Sequence, residues 1–396
     1  MVKNRLITPE GTKDYLFEEA MVRNNIEHKL RQLYEHHGFY EVVTPSLEFL
    51  DVFQVEGHSI PLEYMYKLTD HKGRLMVLRP DSTMPIARLM ATRLKGAKLP
   101  LRLYYNQAVH FTTRSMSGRS DEIMQAGIEL IGQSSLKADL EVISTAIQSF
   151  VQCNQHTFRI EIGHIGIFNT LMNSLHIPEE IKEEIRLLIE SKNYPALNDL
   201  LDKLGNQYEV SVIKQLPRLF GGKEVFKKAA SLINDNATIE ILNYLETIYD
   251  NLLELNLQDK ITVDLGIVNR ADYYTGVVFK GYIEGHGEEV LSGGRYDSLL
   301  SKFGEDMGAI GFAINIDAVA KASINERKPI IPIAKVIVYA EEGYEMKGIR
   351  YLEQISKDIK CEYSIFETLE ETIIYAKERC INRIDIVSDQ IKTIEI

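Results

Sequence analysis

Residues 101–132 read LRLYYNQAVHFTTRSMSGRSDEIMQAGIELIG, and this stretch decides the fold. Apolar residues recur from Leu101 to Phe111, and apolar and polar residues alternate from Ile123 to Ile131, which predicts two strands. The residues between them, RSMSGRS at 114–120, are typical of a turn-rich loop. The sequence therefore predicts a long antiparallel hairpin.

The second strand of this hairpin carries a pair of polar side chains. Because side chains alternate in a strand, Gln125, Gly127 and Glu129 point to one face. An amide and a carboxylate with a glycine between them leave room for a small ligand. The alternative is that Gln125 and Glu129 merely line a solvated face of a sheet.

The composition is that of an ordinary globular protein. The 396 residues, 45% hydrophobic and 26% charged, are enough for two or three domains. No apolar run approaches the length of a membrane span and the N-terminus lacks an apolar signal core, so we expect a cytoplasmic protein with no membrane contact. Cys153, Cys361 and Cys380 are scattered, without metal-type spacing, and we expect reduced, mostly buried thiols and no metal site.

The charge balance bears on nucleic-acid binding. The formal net charge is -12, and residues 331–396 carry nine basic and 13 acidic residues. RNA binding requires cations that neutralise phosphates, so an acidic chain is poorly suited to it without a local basic face. We therefore do not expect tRNA as a partner.

Periodicity along the chain indicates mixed helices and strands. Glu18 to His37 has helical spacing and Gly38 supplies a stop, a strand precedes Thr44-Pro45, and a strand at Leu75 leads through Arg79-Pro80 into a helix from about Met84 to Lys95. We predict a helix at 138–152, a strand at 158–167, an all-helical insertion at about 178–257 and core strands at 261–316. Beyond the linker at 326–332, strands and helices alternate, which predicts a small α/β domain at 331–396.

A second informative stretch lies at 263–318. It contains VNRADYYTGVVF (268–279), SGGRYD (292–297) and GAIGFAINIDA (308–318). In order and spacing these segments resemble the signature segments of histidyl-tRNA synthetases, and the hairpin resembles their second class II motif. The resemblance extends from about Pro9 to about Ala318. It implies an α+β fold: a class II aminoacyl-tRNA synthetase-like antiparallel sheet flanked by helices over residues 1–325, with the helical insertion and the small C-terminal α/β domain.

The resemblance implies a histidine-binding pocket. Asp81, Ser82 and Thr83 occupy the positions at which the family's Glu-Gly-Thr holds the α-amino group of histidine. By the same matching Gln125 binds the amino group, Glu129 and Tyr274 bind the imidazole, and Tyr273 lies against the ligand, with Gly293 and Gly294 letting the backbone come close. A carboxylate and a hydroxyl suit the two imidazole nitrogens. Two alternatives stay open: Asp81 is also placed to cap a helix, and the set could be the remnant of a decayed site.

The same matching implies that the ATP side has lost its cations. The family's two ATP-binding arginines fall on Phe111 and Ala318, its catalytic arginine on Asn269, the motif glutamate on Thr113 and the adenine-stacking phenylalanine on Ile123. The loss of three charge-assisted contacts should cost about 5 to 9 kcal/mol in the free energy of ATP binding or catalysis. We therefore expect no adenylate formation. Arg114 and Arg119 are possible anion contacts, or equally solvated charges on the loop.

A histidine site without an ATP site resembles the regulatory subunits of ATP phosphoribosyltransferase. That resemblance implies a non-catalytic subunit without a cofactor, which a short catalytic subunit requires for activity in the first step of histidine biosynthesis. It further implies a hetero-octamer with that subunit, a homodimer through the class II core, and feedback inhibition with histidine as the effector. Two alternatives are an active histidyl-tRNA synthetase with a degenerate ATP site and a free-standing histidine-binding regulator.

Overall fold

The computed structural model describes residues 6–55, 58–112, 120–205, 207–268, 273–326 and 330–396. The chain divides into two compact units, Met1–Lys328 and Pro329–Ile396. Within the described ranges, none of the helices combines the length and the apolar composition needed to cross a bilayer. The first unit contains the hairpin.

Helices surround the sheet of the first unit and cover that of the second. In the described residues they are α1 (Phe17–His36), α2 (Thr83–Ala91), α3 (Leu136–Gln152), α4 (Ile165–Ser174), α5 (Glu179–Glu190), α6 (Tyr194–Lys203), α7 (Tyr208–Gln215), α8 (Glu224–Leu232), α9 (Asn236–Leu253), α10 (Ile316–Glu326), α11 (Glu345–Ile355) and α12 (Leu369–Glu378). Helix α1 ends where predicted because Gly38 adopts a φ of 79°, which a glycine tolerates best.

The strands of the described residues form two larger and two smaller sheets. They are β1 (Tyr40–Glu41), β2 (Leu47–Phe49), β3 (Gln54–Val55), β4 (His58–Ser59), β5 (Lys67–Thr69), β6 (Leu75–Leu78), β7 (Leu101–His110), β8 (Glu122–Ile131), β9 (Phe158–His164), β10 (Phe220–Gly221), β11 (Ile261–Asp264), β12 (Val277–Ile283), β13 (Leu291–Arg295), β14 (Ala309–Asn315), β15 (Val336–Ala340), β16 (Cys361–Tyr363), β17 (Arg383–Val387) and β18 (Ile391–Glu395).

The predicted hairpin lies within the large sheet. Its strands β7 and β8 pair antiparallel from Leu101 opposite Ile131 to His110 opposite Glu122. Among the described strands the order is β1-β7-β8-β14-β13-β12-β9-β11-β10, and the pairs from β7 to β9 are antiparallel. The antiparallel sheet flanked by helices that the sequence predicts is therefore confirmed.

The two faces of this sheet have different roles. One face packs on α1, α3 and α10, and its core includes Leu30, Tyr34, Ile128, Ile143 and Phe312. The other face is covered by α2 and the segment before it, whose apolar side chains form a second core with aromatic residues of the sheet. Because both faces are covered, β8 is buried continuously from Ala126 to Ile131 rather than in alternation.

Several predicted boundaries are wrong in detail. Helix α2 ends at Ala91 instead of Lys95, where the Thr92 hydroxyl donates to the Arg88 carbonyl at 2.8 Å. The strand at 158 ends at His164, whose Nδ1 accepts from the Gly166 N–H at 3.1 Å and so caps α4, a helix that the sequence did not predict. The insertion is not entirely helical, because the short strand β10 pairs with β11.

The second unit has its own four-stranded sheet, in the order β16-β15-β17-β18. Strands β15, β16 and β17 are parallel, and β18, which the sequence analysis did not predict, adds an antiparallel edge. Thiol burial was predicted wrongly: Cys153 is buried, but Cys361 is half-buried and Cys380 is exposed. Cys380 follows α12 in a left-handed turn with a φ of 55°, and the next residue, Ile381, returns to the core of this unit.

Candidate functional site

A cavity of about 440 Å³, including its open mouth, lies between the second face of the large sheet and the segment that leads into α2. Its lining includes every histidine-binding residue proposed from the sequence: Asp81, Thr83, Gln125, Glu129, Tyr273 and Tyr274. These residues come from three separate parts of the chain, and the fold brings them together. Arg114 and Arg119, the possible anion contacts, lie outside the described residues.

Glu129 forms the floor of the cavity. Its side chain is buried, with the residue only 1% exposed, so the solvated-face alternative is wrong for this position. The Thr83 hydroxyl donates to Oε1 at 2.8 Å, and the Tyr296 hydroxyl donates to Oε2. Burial raises the pKa of the Glu129 carboxyl to about 8, although both hydroxyls favour the ionised form and lower it. Near neutral pH this carboxyl therefore carries a proton that it can share with a ligand.

Gly311 permits this position of Glu129. It lies opposite Glu129 across the β8–β14 ladder. A Cβ atom at Gly311 would overlap Glu129 Oε2 and come within 2.5 Å of the Ile128 carbonyl oxygen. The glycine is thus required because the carboxylate and the neighbouring strand occupy the space of a side chain.

Aromatic side chains form one wall of the cavity. The rings of Tyr273 and Tyr274 lie 4.8 Å apart between centroids, and Tyr273 meets the Tyr296 ring edge-on at 5.7 Å. Burial raises the pKa of each of these phenols, so all three remain protonated hydroxyls. Gly294 lets Tyr274 approach, because a Cβ there would lie 2.7 Å from the ring.

The other glycine of the pair has a different role from the one implied by the resemblance. A Cβ at Gly293 would meet the Phe279 ring and the Gly311 carbonyl oxygen, each at 2.5 Å. This glycine therefore serves core packing on the far side of the sheet.

Asp81 lies at the rim of the cavity, just before α2. Its Oδ1 accepts from the Met84 backbone N–H at 2.8 Å, so it caps the first turn of the helix as the structural alternative predicted. It also lines the cavity. The cap expectation for this residue is confirmed, whereas its contact with a histidine amino group stays a prediction.

The positions matched to the nucleotide site carry uncharged side chains where they are described. Phe111 and Ile123 are half-buried, and Ala318 is buried in the first turn of α10 with its N–H donated to Asn315 Oδ1 at 3.0 Å. Neither a phenyl ring nor a methyl group can form a charge-assisted hydrogen bond with a phosphate. Thr113 and Asn269 lie outside the described residues.

Sequence reasoning missed two of the side chains that shape the cavity. Tyr296 stood inside the quoted SGGRYD segment, but only the fold shows that its hydroxyl reaches Glu129. Tyr105 also lines the cavity, from β7. It pairs with Gly127 on β8, and strand alternation places it on the same face as Gln125 and Glu129, so the hairpin register could have identified it.

The chain is similar to known proteins over most of its length. The family model of histidyl-tRNA synthetase matches residues 11–319. The ATP phosphoribosyltransferase regulatory subunit of Clostridium novyi (strain NT) is 40% identical over 395 residues, which cover 98% of this chain and 94% of that protein. The protein of the same name from Clostridium acetobutylicum is 40% identical over 97% of this chain and 96% of its own length.

A comparison with solved structures leads to the same family. One of them is described as an ATP phosphoribosyltransferase regulatory subunit/histidyl-tRNA synthetase from Bacillus halodurans, and it superposes with a TM-score of 0.84 at 28% identity. The match covers 96% of this chain and 98% of that one. The chain therefore belongs to the family of ATP phosphoribosyltransferase regulatory subunits, which share the class II fold of histidyl-tRNA synthetases.

Proposed function

We propose that this chain is a histidine sensor with no catalytic activity of its own, acting as the regulatory subunit of ATP phosphoribosyltransferase. One observation carries the proposal, an asymmetry of the site. The cavity keeps a buried carboxyl and several hydroxyls that suit an imidazole, while Phe111 and Ala318 stand where a nucleotide would need cations. Aminoacylation, which needs ATP, is therefore not part of the proposed role.

The proposed binding mode places the imidazole at Glu129 and the α-ammonium group beside the segment that leads into α2. Glu129 shares its proton with one imidazole nitrogen, and the Tyr274 hydroxyl serves the other. Thr83 gives its hydrogen to Glu129 and accepts from the Tyr273 hydroxyl, so one lone pair of its oxygen is left for the α-ammonium group, beside the carboxylate of Asp81 and the amide of Gln125. Protein side chains make all of these contacts, and the proposed binding mode includes no cofactor.

The proposed regulation follows from thermodynamic linkage between histidine binding and the state of the complex. A ligand shifts an equilibrium only by the difference between its affinities for the two states. We propose that histidine binds the inhibited arrangement of the complex more tightly than the active one. In this proposal the complex is a hetero-octamer with a short catalytic subunit, and histidine acts as a feedback inhibitor of the first step of histidine biosynthesis.

The decisive experiment is reconstitution. Adding the purified chain to a short ATP phosphoribosyltransferase catalytic subunit should raise its rate of phosphoribosyl transfer from near background, and histidine should reverse the increase. The rate of product formation with and without each component measures this effect. The control is the chain alone, incubated with histidine, ATP and labelled pyrophosphate, which should show no exchange of label into ATP.

Two results would contradict the proposal and separate its alternatives. Robust pyrophosphate exchange would identify an active histidyl-tRNA synthetase. Histidine binding without stimulation of the catalytic subunit would indicate a free-standing histidine-binding regulator.

The first unit also carries an apolar surface that supports the proposed homodimer. Leu47 and Phe49 on β2 share the outer face of a small sheet with Leu68 on β5. These three side chains, the outer sheet face, are between 39% and 43% exposed. A contiguous apolar patch of this kind is typical of an interface. We propose that two copies of the chain associate through it.

Changing Leu68 to Asp should convert the proposed dimer to monomer, because it places a charge in the apolar contact. Sedimentation of the purified chain would measure the change in mass. Val151→Asp is the matched control, since Val151 is also exposed, at 48%, but lies at the end of α3. A wild-type chain that sediments as a monomer would contradict the proposed dimer.

Three expectations from the sequence remain predictions. They are the cytoplasmic location, the lack of a tRNA partner, for which the net charge of -12 is the argument, and the assignment of residues 1–325 and 331–396 as domains. The two compact units, Met1–Lys328 and Pro329–Ile396, support that assignment.

A further inference from the structure

A buried amide lies next to the cavity and takes no part in the binding mode described above. Gln107 on β7 is the direct partner of Gln125 across the hairpin, so the two side chains share one face of the sheet. Gln125 lines the cavity. Gln107 itself is 4% exposed. The cavity therefore has a buried polar neighbour at its amino-acid end.

The orientation of the Gln107 amide is determined by Thr44. The Thr44 backbone N–H and hydroxyl lie 3.3 and 3.2 Å from Gln107 Oε1. A backbone N–H can only donate, so the atom it meets is the oxygen, and the amide cannot flip. Nε2 is then a fixed donor, and it is buried without a hydrogen-bond partner among the described residues. A buried donor of this kind requires a water molecule or a ligand as acceptor.

A buried cation lies behind this amide. Arg79 is 4% exposed and donates Nη1–H to the Thr44 carbonyl at 2.5 Å and to the Thr44 hydroxyl oxygen at 3.4 Å. The hydroxyl therefore passes its own hydrogen to Gln107. Hydrogen bonds linked in this way polarise one another, so Nε2–H becomes a stronger donor to an anion. The nearby Glu48 is held by Arg88 through two bonds of 2.6 and 3.0 Å, which leaves the group of three ions with a net positive charge.

The position of the amide along the strand identifies the part of the ligand that it meets. Gln125 and Glu129 share one face of β8 with only Gly127 between them, and Gln107 lies opposite Gln125. A ligand whose imidazole lies at Glu129 directs its amino-acid end toward Gln125 and its partner Gln107. The anionic group at that end of a free amino acid is the α-carboxylate.

We propose that Gln107 donates to the α-carboxylate of the bound amino acid, and that the chain from Arg79 through Thr44 to Gln107 makes the pocket selective for free amino acids over imidazoles without a carboxylate. This inference rests on the proposed function, in which the cavity binds histidine. Gln107 is a specificity residue, and Thr44 and Arg79 act through it by positioning and polarising its amide.

Calorimetry with L-histidine and histamine tests the proposal. Wild type should prefer histidine. Gln107→Met keeps the length of the side chain but removes the donor, so it should weaken histidine binding about 10-fold and leave histamine binding unchanged. Asn106→Leu is the matched control, because Asn106 is the neighbouring residue on the opposite face and its amide is also buried without a partner among the described residues. That variant should bind both ligands as wild type does.

A second variant keeps the test decisive if Gln107→Met does not fold. Thr44→Val retains the shape of the side chain but removes the hydroxyl that links Arg79 to Gln107, and it should reduce the preference for histidine over histamine. Equal weakening of both ligands by Gln107→Met, or unchanged selectivity in either variant, overturns the role of Gln107. A wild-type chain that binds neither ligand overturns the proposed function and this inference with it. Variants that lose only the preference for histidine over histamine support the proposed function and the role of Gln107.

Discussion

Replacing Glu129 with glutamine should weaken histidine binding about 10- to 100-fold, the value of one or two charge-assisted hydrogen bonds. Thr83 and Tyr296 each donate a hydroxyl hydrogen to a different carboxyl oxygen of Glu129. A glutamine amide offers only one oxygen, so one hydroxyl would face an N–H group, and the amide cannot hold the proton that Glu129 shares with the imidazole. Titration calorimetry measures the loss. In the reconstituted complex, the histidine concentration for half inhibition should rise by a similar factor.

The same substitution should change the pH dependence of binding. The complex holds one proton between Glu129 and the imidazole, so affinity should be highest between the ordinary imidazole pKa of about 6.5 and the Glu129 pKa of about 8. Below this window the free imidazole must lose a proton in order to bind, and above it the site must gain one. Glu129→Gln should remove the decline of affinity on the alkaline side.

The free energy of unfolding should also depend on the protonation of Glu129, and the pKa shift determines the direction of this dependence. The pKa of Glu129 rises from an ordinary 4.5 to about 8 on folding, so the folded state holds a proton that the unfolded state releases between these values. Raising the pH through this window should therefore lower the free energy of unfolding of wild type relative to Glu129→Gln, by at most about 1.4 kcal/mol per pH unit. Denaturant titrations at pH 5 and pH 8 measure the difference.

Glu161→Gln is the control for both measurements of histidine binding, since it makes the same chemical change on β9, outside the cavity. It should bind histidine like wild type. Equal affinity of wild type and Glu129→Gln, with no change in the pH profile, would place the histidine site elsewhere.

The largest loss of stability should come from Asp139→Ala, at about 3 to 5 kcal/mol, the usual result of breaking a buried ion pair by removing one partner. Asp139 is fully buried, and its Oδ1 accepts from Arg295 Nε–H at 2.9 Å and from Nη2–H. Its Oδ2 accepts from the Tyr244 hydroxyl at 2.6 Å. The alanine variant would leave the Arg295 guanidinium buried and short of its main counter-charge, and would release α9 of the insertion from α3. Denaturant unfolding measures the change.

The matched control for this prediction is Asp250→Ala. Asp250 pairs with Lys223 at 2.7 Å on the surface, and exposed ion pairs contribute little to stability. The free energy of unfolding should stay close to that of wild type. Comparable losses in the two alanine variants would refute the argument from burial.

Much of the fold could be predicted from local patterns. Alternation along 101–131 indicated the hairpin, helical spacing indicated α1, and Gly38 marked its end, because these features depend on neighbours in the sequence. The errors arose where side chains act on the backbone. His164 starts α4 by accepting from Gly166, and Thr92 bonds back to Arg88 where α2 ends. Neither contact leaves a periodic signal.

The sequence by itself determined which residue types line the cavity: the alternation on β8 placed Gln125 and Glu129 together, and the resemblance added Asp81, Thr83, Tyr273 and Tyr274. Only the tertiary structure decided the protonation state of Glu129. Covering the second face of the sheet removes this carboxyl from water, and Thr83 and Tyr296, far apart in the chain, supply its hydrogen bonds. The physical reason is that a pKa depends on the surrounding solvent and charges, which are set by contacts between distant segments.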